Sequence, residues 1–228
     1  MKALVLSSGG VDSTTCVALA VSEYGKENVV SLSVTYGQKH SKEIQCADAV
    51  AKYYGIEHIV LDLSEMFRFS DCSLLEHSDT EIPHESYDSQ IQKTNGSPVS
   101  TYVPFRNGLF ISSASAIALS KKCDVIYYGA HSDDSAGSAY PDCSPEFNKA
   151  MGDAVYLGSG KQLKIVAPFV NLTKKDVVKK GLELNAPYQL TWSCYEGGEK
   201  QCGKCGTCID RKRAFEENGV KDPVEYAE

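Results

Sequence analysis

Apolar and polar positions along this chain switch between two periods, and each switch marks an element. Ala3-Leu4-Val5-Leu6 is a short apolar run that reads as a buried strand. Ser7 to Asp12 is a tight polar turn, and from Ser13 the apolar residues Cys16, Val17, Ala20 and Val21 recur at helical spacing. Val29 to Thr35 alternates as a second strand. Ile44, Ala47, Ala51 and Tyr54 mark an amphipathic helix that Gly55 closes, and Glu57 to Asp62 is a third strand. Residues 64–100 break the rhythm. They are polar, rich in Ser, Asp and Glu, and carry Pro83 and Pro98; they either cover a site or form plain surface loop. A helix with a small-residue apolar face follows from Leu109 to Leu119. Asp124 to Gly129 predicts a fourth strand, and Leu163 to Val166 a fifth that Pro168 closes. Thr173 and Asp176 have the spacing of an N-cap and its partner at a helix start.

Strand and helix alternating at this spacing predict an α/β fold, a doubly wound and mainly five-stranded parallel sheet. Residues 1–185 form this domain, with 64–100 as an excursion, and 186–228 form a small C-terminal metal-binding segment. Length supports one sizeable core with a small appendage. The net charge of −7 argues against a broad nucleic-acid-binding face. No run approaches a membrane span, and the start has no secretion signal, so the expected compartment is cytoplasmic.

Two stretches carry chemistry. The first is Ser7-Ser8-Gly9-Gly10-Val11-Asp12-Ser13, between the first strand and the first helix. Backbone N–H groups at a helix start are unpaired and carry partial positive charge. Glycines let an anion approach, and the serines add donors, so the turn is a seat for phosphate. It lacks the lysine of a kinase-type P-loop and the glycine spacing of a dinucleotide fingerprint.

The second is Cys194, Cys202, Cys205 and Cys208, four of nine cysteines crowded into fifteen residues. Such thiols in a reducing compartment point to metal rather than disulfides. A closed tetrahedral Zn²⁺ site is the leading reading, and an iron–sulfur cluster the alternative. Cys16, Cys46, Cys72, Cys123 and Cys143 read as small buried hydrophobes.

Other candidates lie at strand ends, where open parallel sheets bind ligands. Gln38, Lys39 and His40 follow the second strand. Arg106 and Asn107 stand near a helix start, where Arg106 either binds an anion through two N–H groups or serves as a cap or surface ion pair. Beyond the fourth strand, the run from Ala130 to Cys143 is dense in acceptors and suits Mg²⁺ or a polar heterocycle. Within it His131, Asp133 and Asp134 read as structural or solvated, and Asp142 as the better ligand contact.

Ser8-Gly9-Gly10-Val11-Asp12-Ser13 resembles the pyrophosphate loop of the ATP pyrophosphatase superfamily. Tyr36-Gly37-Gln38-Lys39-His40, Val103-Pro104-x-Arg106-Asn107, Tyr140-Pro141-Asp142-Cys143 and Ser193-Cys194-Tyr195 with the later cysteines narrow the likeness. Together they resemble the 7-cyano-7-deazaguanine synthase family, in order and over nearly the whole chain. The resemblance implies an adenine nucleotide alpha hydrolase-like fold and an ATP-dependent carbon–nitrogen ligase. Its substrates are 7-carboxy-7-deazaguanine, ammonia and ATP; its metals are structural Zn²⁺ and Mg²⁺; its assembly is a homodimer with no nucleic-acid or membrane partner. The implied roles are Ser7 to Ser13 on ATP, with Asp12 and Ser13 counted as catalytic beside Arg106 and Lys39. Gln38, Arg106, Asn107, Tyr140 and Asp142 contact the substrate, and the four late cysteines hold the metal. Two features depart from the family pattern and are expected at the substrate pocket. Phe105 stands where glycine is usual, and Ser132 to Ser138 replaces a shorter Glu-Thr-Asp-like run.

Overall fold

The computed structural model describes residues 1–227. In chain order its regular elements are β1 (Ala3–Leu6), α1 (Val11–Tyr24), β2 (Val29–Thr35), α2 (Lys42–Tyr54), β3 (Glu57–Asp62), α3 (Tyr87–Thr94) and α4 (Arg106–Ser120). There follow β4 (Val125–Tyr127), the single turn α5 (Ser132–Ser135), α6 (Pro145–Gly158), β5 (Lys164–Val166), α7 (Lys174–Glu183) and α8 (Gly206–Glu216). The five strands are all parallel, in the order β3-β2-β1-β4-β5. The chain steps outward from β1 to β3, then returns to pair β4 on the other side of β1. That reversal opens a crevice beyond the carboxyl ends of β1 and β4, the place where such sheets bind ligands.

Alternate residues of β1 serve opposite faces. Ala3 and Val5 pack with Cys16, Val17 and Ala20 of α1 and Val177 of α7. Leu4 packs with Ile111, Ala114 and Ala118 of α4 and Val155 of α6. Both faces are covered, which is why the strand reads as an unbroken apolar run. Each buried Val, Leu or Ile among them contributes about 1.5–3 kcal/mol.

The predicted strands are all present, β1 to β3 with the expected ends and β4 shorter. The Thr173–Asp176 cap is a full capping box. Besides the single turn α5, three helices escaped the sequence reading. α6 starts from Ser144, whose hydroxyl accepts the Phe147 N–H, with Pro145 in its first turn. α8 grows out of the cysteine cluster, and α3 lies inside the excursion. The excursion folds as a cover. Phe67, Cys72, Leu74 and Leu75 pack with Tyr36 and Val103, and Gln38 bridges Leu75 in antiparallel fashion.

The C-terminal segment meets the sheet domain where Tyr188, Ala214 and Phe215 pack with Val11 and Val178, and buried Arg211 braces the segment from within. Its guanidinium donates to both Asp222 carboxylate oxygens, at 2.7 and 2.9 Å, and to Thr191 Oγ1 at 2.8 Å. Among the described residues no helix is long and apolar enough to cross a membrane.

Candidate active site and metal centre

The loop between β1 and α1 has the expected form. Gly10 precedes α1 with no side-chain cap, and the first hydrogen bond back into the helix is from Thr14 N–H to Gly10 O. The N–H groups of the first turn therefore face the crevice. Ser8 and Ser13 hydroxyls lie 3.1 Å apart and tie the loop to itself. Gly9 has φ +82°, and a Cβ there would lie 2.1 Å from Glu43 O. Only glycine fits, because α2 packs directly on the loop. Gly129, after β4, approaches α1 almost as closely: a Cβ would meet Asp12 Cβ at 3.0 Å.

A cavity of about 230 Å³ opens at this point. Its floor is Ser7, Ser8, Gly10, Val11, Asp12 and Ser13, and Leu32, Val34 and Ile44 give it one apolar wall. Arg106, Asn107, Gln38 and Tyr140 also line it. Arg106, in the first turn of α4, donates to Tyr36 Oη at 3.1 Å and stacks over that ring at 5.1 Å. Gln38 Oε1 accepts the Tyr36 N–H at 2.8 Å. Tyr140 Oη meets Thr101 Oγ1 at 2.6 Å and donates to Tyr87 Oη at 3.2 Å, and Tyr87 Oη lies 2.9 Å from Tyr195 Oη. These hydroxyls join the excursion and the C-terminal segment over the crevice.

Three candidates are off the cavity lining: Gly9, turned against α2, and Lys39 and Asp142. Lys39 is exposed and donates to Thr80 O at 3.1 Å, because its N–H bonds Leu74 O and the bridge beside it turns the side chain outward. Asp142 is buried behind the wall, where it accepts the Asn107 N–H at 2.8 Å and anchors the start of α4. Burial pushes its carboxyl up, against the pull of the Asn107 N–H. The expected departures are also mostly off the pocket. Phe105 has φ +56°, a left-handed conformation that explains why glycine suits the position. Its exposed ring covers Gly108 and meets Phe147 edge-on at 5.9 Å. Of Ser132 to Ser138 only Asp134 lines the cavity.

The structure adds residues that the sequence reading passed over. Lys174, at the first position of α7, reaches Asp12 Oδ2 at 2.5 Å. His131 Nε2 lies 3.7 Å from Asp12 Oδ1 and 3.4 Å from Asp134 Oδ2. Burial pushes the Asp12 carboxyl up, but the Lys174 and His131 charges outweigh it and hold the group below its ordinary value. Burial raises Asp134, which His131 only partly offsets. The buried oxygens Ser7 Oγ and Asp12 Oδ1, both on the cavity, have no hydrogen-bond partner, as expected of groups that wait for a ligand. Glu43 also lines the cavity, and burial pushes its carboxyl to about 7 although Arg106 pulls it down.

The four cysteines converge. Their Sγ atoms lie within 4.8 Å of one another, and Cys202 and Cys208 are 4.0 Å apart. A tetrahedral ion with bonds of about 2.3 Å needs sulfurs at roughly this spacing. Cys194 Sγ accepts N–H groups of Cys202 at 3.2 Å and Glu196 at 3.4 Å; Cys202 Sγ accepts those of Cys205 at 3.3 Å and Lys204 at 3.4 Å. The Cys205 and Cys208 thiols, with these N–H donors, hold the Cys194 thiol well below its ordinary range. The set fits a thiolate-bound metal ion. Its backbone also braces the loop: Cys194 O accepts Trp192 Nε1–H at 2.7 Å and lies 3.0 Å from His40 Nε2, while Trp192 N–H donates to Gly9 O at 2.9 Å.

Comparison with known proteins agrees with the motifs. The family model described as queuosine biosynthesis protein QueC matches residues 2–219. The 7-cyano-7-deazaguanine synthase of Archaeoglobus fulgidus is 42% identical over 225 residues, covering 98% of this chain and 90% of that one. The enzyme of the same name from Caldicellulosiruptor bescii is 42% identical over 226 residues, covering 99% of this chain and 97% of the relative. Among solved structures, the U34-tRNA thiolase NcsA from Methanococcus maripaludis with its 4Fe–4S cluster aligns at TM-score 0.51 and 19% identity, covering 96% of this chain and 67% of that one. NMN synthetase from Francisella tularensis aligns at TM-score 0.50 and 16% identity, covering 96% and 78%. These two share the fold. The motifs, the full-length identity and the family match lead to one conclusion: this chain belongs to the QueC family of queuosine biosynthesis proteins.

Proposed function

We propose that the protein converts 7-carboxy-7-deazaguanine and ammonia to 7-cyano-7-deazaguanine at the expense of ATP. The observation that carries this reading is the meeting of an uncapped, glycine-bearing α1 start and Arg106 on one cavity, in a chain of this family. A carboxylate is a poor electrophile, since attack on it adds charge to an anion. Transfer of AMP to its oxygen supplies a good leaving group, and ammonia then gives the amide. A second ATP activates the amide oxygen in the same way, and loss of AMP leaves the nitrile. Both rounds need preorganised donors for departing pyrophosphate.

Ser8, Gly9, Gly10 and the N–H groups of Val11, Asp12 and Ser13 provide that seat. Lys174 lies beside it and pairs with Asp12. Asp12 would hold Mg²⁺, which would screen charge on the phosphates. Arg106 pairs with the substrate carboxylate, and Gln38, Asn107 and Tyr140 shape its surroundings. Zn²⁺ on Cys194, Cys202, Cys205 and Cys208 is structural: a closed set of four thiolates leaves no position for substrate. We further infer a cytoplasmic homodimer that uses small molecules and no nucleic-acid partner.

Incubation with ATP, Mg²⁺, ammonium and 7-carboxy-7-deazaguanine, followed by mass detection, tests the reading. The nitrile with two AMP per product supports it, and amide alone limits the enzyme to the first round. AMP release that requires tRNA and ignores the deazaguanine would replace it. Elemental analysis of purified protein separates zinc from iron.

A further inference from the structure

We propose that Glu43 is the ammonium site of this enzyme and the base that frees its nucleophile. The inference rests on the ligase reading above. Ammonia reaches a protein at neutral pH mainly as ammonium, a cation without a lone pair to attack with. A site that uses it needs an anion to hold it and to take one proton.

The cavity offers several carboxylates, and all but one are committed. Asp12 is paired with Lys174, Asp134 faces His131, and Asp210 accepts from Arg213 at 3.1 Å. The Glu43 carboxylate has no hydrogen bond or ion pair among the described residues, yet it lines the cavity. Its location suits the reaction. Its backbone lies against Gly9 of the phosphate loop, and its charge acts on Arg106 and Tyr36. An acyl adenylate must span the same interval, with its phosphate on the loop and its acyl group toward Arg106. From the cavity wall between the loop and Arg106, Glu43 would then reach the carbon that is attacked. Burial raises its carboxyl to about 7, which suits a group that gains and loses a proton at each turnover.

The step balances as follows. Ammonium gives one proton to the Glu43 carboxylate and becomes ammonia. The nitrogen lone pair forms the C–N bond. The bond from the acyl carbon to the AMP oxygen breaks, and its electron pair leaves on AMP. A second proton passes from nitrogen to the AMP phosphate, and Glu43 returns its own proton to solvent.

The test compares two nucleophiles at neutral pH. Hydroxylamine is uncharged there and needs neither an ammonium site nor a base. Glu43→Gln should raise KM for ammonium roughly tenfold or more, the loss of one charge-assisted hydrogen bond. The same variant should still form hydroxamate from hydroxylamine, with KM for ATP unchanged. Glu43→Asp keeps the charge one methylene back and should fall between. Glu43→Gln or Glu43→Asp with wild-type KM for ammonium overturns the proposal. So does a Glu43→Gln variant that loses hydroxylamine and ammonium to the same extent. A wild-type protein that forms neither hydroxamate nor amide from 7-carboxy-7-deazaguanine sinks the ligase reading beneath it, and that outcome is distinct from the others.

Discussion

The phosphate loop and the cysteine segment look alike in sequence and are opposites in space. Each is a short polar run with glycines at its turns. The loop leaves its bonding capacity open: α1 has no side-chain cap, and Ser7 Oγ and Asp12 Oδ1 are buried without hydrogen-bond partners. The cysteine segment closes on itself, with sulfurs turned inward and backbone N–H groups aimed at Cys194 and Cys202. A site that must take up and release ligand carries unsatisfied polar groups as a standing cost. The cysteine segment instead turns its backbone donors on its own sulfurs, although Gln201 Nε2 within it is buried without a partner among the described residues.

Breaking the closed region should have the largest effect. Cys205→Ala removes one ligand of four and forfeits most of a metal-binding free energy of about 10 kcal/mol. The expected outcome is metal-free protein that is insoluble or melts far below wild type, read by metal content and a thermal melt. Breaking the open region should leave the fold standing. Asp12→Ala should cut AMP formation about 10³-fold, near 4 kcal/mol in the barrier, with an unchanged circular dichroism spectrum. An active Asp12→Ala enzyme would remove Asp12 from the chemistry.

Gly9→Ala tests the contact between loop and α2. The added carbon meets Glu43 O, so the loop must shift, at a cost of about 1–3 kcal/mol. Weaker ATP binding by calorimetry, together with a lower melting temperature, is the expected result. Lys174→Met leaves Asp12 without its cation. We expect AMP formation to fall roughly 10–100-fold, with KM for ATP rising more than KM for the deazaguanine; the reverse order would separate Lys174 from the phosphates. His40→Phe is the mildest change, since it removes only the contact with Cys194 O. About 1 kcal/mol of stability should be lost, and intact metal content would show that the two regions can be loosened without being broken.

The sheet was legible because buried parallel strands are compact apolar runs. β1, β2 and β3 kept their expected ends for this reason. α6 was not read, although Phe147, Met151 and Val155 recur at helical spacing after the Ser144-Pro145 start. The acceptor-rich loop before it drew the reading away. α8 was hidden by its own cysteines and by Arg211, a charged residue that is fully buried because Asp222 and Thr191 satisfy it. Local order carried the phosphate loop into view, and thiol spacing carried the metal set. The cluster around Asp12 was beyond reach: Lys174 lies 162 residues away, and only the docking of α7 on α1 brings them together. Lys39 misled for the converse reason. It neighbours Gln38 in the chain, but pairing with the excursion turns it to solvent.

Trp192 N–H on Gly9 O also orders events in time. A ribosome makes the nucleotide seat well before it makes Trp192, the strut that steadies it. A growing chain thus carries the seat long before the seat is finished, and a truncation anywhere before Trp192 leaves it without that support.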